Sequence, residues 1–143
     1  MNTADLIAID THTHLEVSCW NPFDSYGEEY DRAADKYFRS SKRPTMAESL
    51  AYYRENKIGF VMFTVDAETQ LGRRRIPNEE IAEAAKANAD IMIAFGSIDP
   101  HKGKMGAREA RRLIEEHGVK GFKSTRRCRA SSPPTRWPGP STK

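Results

Sequence analysis

The sequence predicts a parallel α/β fold. Apolar runs of strand length, near residues 6–13, 59–65, 91–98 and 119–123, alternate with segments of helical spacing. The runs over 59–65 and 91–98 are continuously apolar, as strands buried on both faces are. The helical segments carry start and stop signals of their own.

The elements follow in order. Leu6, Ile7, Ala8 and Ile9 read as a buried strand that closes on Asp10-Thr11-His12-Thr13-His14. A polar, aromatic segment over 19–43 comes next, with a short helix expected at 31–38. Thr45-Met46-Ala47-Glu48, preceded by Pro44, is a capping box. The helix it opens carries Met46, Leu50 and Tyr53 at helical spacing and ends near Asn56. After the second strand lies a charged loop with Arg73, Arg74 and Arg75. Pro77 and Asn78 then start a helix with Glu79 and Glu80 in its first turn, where the helix dipole favours anions. This helix runs to about Ala89, and the third strand is closed by Asp99-Pro100. A third helix is expected over 107–117, with Ala110, Leu113 and Ile114 inward and Gly118 as its cap. There is no Gly-x-Gly-x-x-Gly turn and no phosphate-binding loop, which disfavours the nucleotide-binding versions of such folds. Four strands fit an open sheet. They fit equally half of an eight-stranded barrel, whose ligands project from strand C-terminal ends.

The 143 residues suffice for one ordinary domain, and a chain 38% hydrophobic and 30% charged is of globular type. No apolar run approaches the roughly 20 residues that span a bilayer, so no membrane partner is expected. The N-terminus lacks a basic stretch followed by an apolar one, so no secretory leader is expected. Cys19 and Cys128 are few and far apart, which fits a reducing, cytoplasmic compartment better than a disulfide framework. The net charge of +3 comes from the last 20 residues, where Arg126, Arg127, Arg129, Arg136 and Lys143 meet no acid. Removing these five from the 23 basic residues leaves 18 against 20 acidic ones, a mildly acidic body. The tail as a nucleic-acid arm gains nothing from that body, and Trp137 is its one aromatic residue for base stacking.

Chemistry is visible at the end of the first strand. Side chains alternate along a strand, so Asp10, His12 and His14 are expected on one face. Two imidazoles two residues apart can close on one ion, and neutral imidazole suits zinc and other divalent first-row metals. Asp10 is either an outer partner that orients a ligand or a satisfied strand-end carboxylate. Loop packing fits Trp20, Phe23 and Tyr26 better than lining a pocket does. Cys19 reads as a buried inert thiol. His101 and His117 read as surface residues, His117 at a favourable helix C-terminus. Arg73 to Arg75 read as a solvated loop before an anion grip.

Several of these pieces resemble one family. Asp-x-His-x-His closing a first strand is similar to the amidohydrolase superfamily. Asn21-Pro22-Phe23, Val61-Met62-Phe63, Gly96-Ser97-Ile98-Asp99-Pro100 and Gly118-Val119-Lys120-Gly121-Phe122-Lys123 resemble its amidohydrolase-related branch. That branch holds aminocarboxymuconate-semialdehyde decarboxylase, resorcylate-type decarboxylases, and several hydratases and hydrolases. The resemblance covers residues 1–123. It implies the N-terminal half, about four β/α units, of a TIM-type (β/α)8 barrel. It also implies a single divalent metal, zinc first and manganese second, held by His12 and His14 with later ligands that this sequence lacks. The implied parent protein is a homo-oligomer. It would be a hydrolase of a carboxylated or thioester small molecule, or a decarboxylase of an aromatic or unsaturated acid.

Family members continue Gly-Phe-Lys with Phe-His-Pro, whereas here Ser124 intervenes and Leu, Ile and Val vanish. One base inserted into a back-translated reading turns residues 124–143 into a family-like continuation. The tail is therefore expected to be disordered and out of frame. The chain as written is expected to be inactive, with an enzyme and a small basic binding protein as the competing expectations.

Overall fold

The structure, a computed structural model, describes residues 3–21, 32, 35–37, 43–72 and 74–124. Of the helix expected at 31–38, residues 32 and 35–37 are described and are helical. Phe23, Tyr26, Tyr30, Phe38 and residues 125–143 lie outside the described part.

The described chain is a parallel α/β unit. Its strands are β1 (Ala8–His14), β2 (Ile58–Phe63), β3 (Met92–Ser97) and β4 (Gly121–Lys123). Its helices are α1 (Met46–Glu55), a four-residue α2 (Glu68–Leu71), α3 (Asn78–Ala87) and α4 (Gly103–Glu115). The strands pair in sequence order, all parallel, in one sheet curled into a half-barrel. No described helix is long and apolar enough to cross a membrane.

The helix starts explain themselves locally. Thr45 Oγ1 accepts the Glu48 N–H at 3.3 Å, and the Thr45 N–H donates to Glu48 Oε2 at 2.9 Å, closing the capping box of α1. Pro77 stands just before α3, where its missing N–H costs nothing. Helix α4 begins a turn earlier than expected. A Cβ on Gly106, in the added turn, would lie 2.8 Å from Ile98 Cγ2. Gly106 is there for close approach of helix to strand.

The core lies between the sheet and its helices. Phe60 and Met62 of β2 and Met92 and Ala94 of β3 point outward to Ile81, Ala82, Ala85 and Leu113. Two expectations fail at the margins. Ile114 is 53% exposed, because α4 packs through Gly106 and Leu113 and Ile114 falls beside that stripe. Strand β1 is not buried: Ile7 is 75% exposed and Ile9 45%. Among the described residues β1 has one strand neighbour, so it is an edge.

The β3–β4 register is set by shape. Phe95 pairs with Gly121, and Gly96 with Phe122. A Cβ on Gly121 would sit 2.6–2.9 Å from the Phe95 ring, and one on Gly96 2.7–2.9 Å from the Phe122 ring. Each face therefore places a ring over a glycine, and a one-residue slip would set ring against ring.

Candidate metal centre

Strand β1 carries one extra residue. It pairs Asp10 with Phe60, then Thr13 with Met62 and His14 with Phe63, with a register shift between Asp10 and Thr13. That bulge changes which face each side chain takes. Asp10 follows Phe60 to the helix side, while His12 and His14 fall with Phe63 on the inner side. The expected single face is thus corrected: the histidines share one, and Asp10 takes the other. Continuing back past the bulge, Ile9 and Ile7 belong to the inner face with the histidines.

The two imidazoles converge. His12 Nε2 and His14 Nε2 are 3.2 Å apart, and the rings stack with centroids at 5.0 Å. Both rings lean on buried Phe63, at 5.4 and 4.7 Å between centroids. Lys123 Nζ stands 5.5 Å over the other part of this group, the Phe63 ring. Burial, then the charges of His12 and Lys123, hold His14 below its ordinary value of 6.5. Its neutral form, the one that ligates metals, is favoured. Two nitrogens about 2.0–2.1 Å from one tetrahedral zinc stand about 3.3–3.4 Å apart. The observed 3.2 Å is close to that spacing, and it is also the length of an N–H···N hydrogen bond between the two rings. Among the described residues no group of three or more His, Cys, Asp or Glu side chains that could hold a metal ion forms, and the pair by itself would offer two nitrogens.

Asp10 acts on the pair through the backbone. Its Oδ1 accepts the His12 N–H at 2.9 Å, and its Oδ2 accepts the Tyr53 hydroxyl at 2.8 Å. The Tyr53 ring stacks on Phe60 at 4.3 Å. The His12 amide first, and the Tyr53 hydroxyl second, keep the Asp10 carboxyl below the usual carboxylate value. Desolvation first, and the same hydrogen bond second, push the Tyr53 phenol well up. Asp10 thereby pins the bulge to α1.

Behind the strand ends lies a buried polar network that sequence reasoning missed. Asn78 donates to the Ser97 carbonyl at 2.9 Å and accepts the Ser97 N–H at 2.8 Å. Ser97 Oγ accepts the Asp66 N–H at 2.9 Å. Asp66 Oδ2 accepts from the Asp99 N–H at 3.0 Å and from Lys102 Nζ at 2.6 Å. Asp99 accepts the Thr69 and His101 amides at 3.0 and 2.9 Å. Glu80 accepts Ser18 Oγ at 2.7 Å and the Cys19 N–H at 2.6 Å, tying the loop after β1 to α3. The signal available in sequence was small polar residues at strand ends, which turns also produce.

Other expectations are settled one by one. Arg75 is not solvated: it is ion-paired with Glu68 at 3.1 Å, with Asp66 at 3.5 Å, and with Glu109. Arg74 is exposed, and Arg73 lies outside the described residues. Cys19 is exposed rather than buried, because its loop turns outward beside Glu80. Partial desolvation, with the nearby Glu80 charge, holds its thiol above the ordinary value. His101 is exposed as expected, while His117 is half-buried with Arg112 Nη1 3.0 Å from its Nε2. Trp20 is exposed.

Fold and site together define a parallel α/β half-barrel with two converging imidazoles at a strand C-terminal end. No protein family, curated protein or solved structure gives a significant match to the chain.

Proposed function

We propose that His12 and His14 are the first-strand ligands of a divalent metal ion, zinc before manganese, in a protein of amidohydrolase-related type. The 3.2 Å between the two Nε2 atoms carries this reading. Such an ion, when bound, polarises a substrate oxygen and makes water a better nucleophile. Phe63 backs the two rings, and Asp10 holds the backbone of His12 in place. Lys123 extends from β4 on the inner side and offers a cation to a substrate carboxylate. The substrate class that the resemblance implies is a carboxylated or acyl-thioester small molecule, acted on by hydrolysis. Decarboxylation of an aromatic or unsaturated acid uses the same corner and is the second reading.

Catalytic zinc ordinarily takes three protein ligands. A single copy of this chain, with two, is a weak chelate and catalytically inactive on this reading. Zinc titration by calorimetry, with metal analysis after gel filtration, tests the metal. Zinc should bind, and His12→Ala and His14→Ala should each lower the affinity at least tenfold. Equal zinc uptake by both variants and the unaltered chain would end the proposal.

A further inference from the structure

The half-barrel has two open sides. Among the described residues nothing pairs with the outer edge of β1 or of β4. Both edges belong to parallel strands, and each can take a further parallel strand. Around His12, His14 and Lys123 the inner face between the edges carries apolar side chains that are only partly covered. Ile7 and Ile9 are exposed there, and Ile93 and Phe95 are half-buried. The edges differ in charge. Exposed Asp5 stands just before β1, and exposed Lys120 just before β4.

These observations favour one occupant. We propose that two copies of this chain join β4 of each to β1 of the other, closing an eight-stranded barrel in which the two histidine pairs share one divalent ion. A twofold axis along the barrel keeps all eight strands parallel and makes the same basic-to-acidic seam twice. Eight strands give an interior just wide enough for side chains to fill. The second copy's β1 then takes the fifth place around the barrel. Layers inside such barrels come from alternate strands, so the first and fifth places contribute to the same layers. His12 and His14 of each copy therefore face those of the other across the axis. The closure also covers Ile7 and Ile9. The ligand set that is incomplete in one copy becomes four imidazoles in two.

This inference rests on the metal reading above and is tested apart from it. The full chain is examined by light scattering after gel filtration, with zinc titrated at several protein concentrations. The expected mass is twice the 16.2 kDa of one chain. Zinc should bind at one ion per two chains, with an apparent affinity that falls on dilution. Ile7→Lys is tolerable in an isolated chain, since Ile7 is 75% exposed there. It should yield a monomer with an unchanged circular dichroism spectrum and at least tenfold weaker zinc binding, although both histidines remain. A monomer that binds zinc through His12 and His14 independently of dilution overturns the shared site and leaves the metal reading standing. One ion per chain in a dimer overturns it too. A chain that binds no zinc in any form ends the metal reading itself, and the shared site with it.

Discussion

Asn78 shows how one side chain can hold two loops at a strand end. It is fully buried, and its amide satisfies both the N–H and the C=O of Ser97. Asn78→Ala would orphan two buried backbone groups and should cost about 2–4 kcal/mol. A urea titration read by circular dichroism checks this, and a change under about 1 kcal/mol would mean that water reaches Ser97. The sequence shows Asn78 as the first residue of a helix, and nothing in it points to Ser97. The partners are 19 residues apart and meet through folding. The histidines behave differently. Their pairing was legible because strand alternation is local, whereas the face taken by Asp10 was not, because a bulge depends on the neighbouring strand.

At the scale of elements, helix α1 is the most legible piece. Its boundary follows from Thr45 and Glu48, whose mutual hydrogen bonds need no tertiary partner. The β3–β4 pair is the reverse case. Its register depends on Gly121 beneath Phe95 and Gly96 beneath Phe122, contacts between separate strands. Gly121→Ala should push the Phe95 ring off its rotamer and destabilise the fold by about 1–3 kcal/mol. The denaturation midpoint measures this, and a neutral result would show that the ring relocates freely. The apolar run of β1 predicted burial, and the structure makes it an edge. Apolar character says which residues prefer cover, but neighbouring strands decide whether cover arrives.

For the whole molecule, the loops beyond β2 and β3 are joined by charge. Burial pushes the Glu68 and Asp99 carboxyls up, but their hydrogen bonds outweigh it and leave both below their ordinary values of 4.5 and 3.8. The bonds come from Lys102 and Arg75 to Glu68, and from Thr69 and His101 to Asp99. A folded pKa below the unfolded one gives stability that is present above the ordinary value and lost as pH falls through the depressed one. Lys102 is shifted the other way: burial lowers it, and the bonds to Asp66 and Glu68 raise it above 10.5. Its contribution is present below 10.5 and lost only as pH rises through the raised value. The unfolding midpoint should therefore hold from neutrality down to about pH 5 and fall below about pH 4. Thermal melts across that range check it, and an unchanged midpoint at about pH 3 would show that the network adds no stability.

By itself the sequence determined the alternation of strands and helices, the helix starts at Thr45 and Pro77, and the two imidazoles at the end of the first strand. These follow from local periodicity, capping and backbone geometry. Only the tertiary structure decided which face Asp10 takes, that β1 is an edge, that Arg75 is locked among carboxylates, and that Asn78, Ser97, Asp66 and Asp99 form one network. Each of those depends on residues brought together from separate elements, where packing and desolvation act and sequence spacing carries no trace of them.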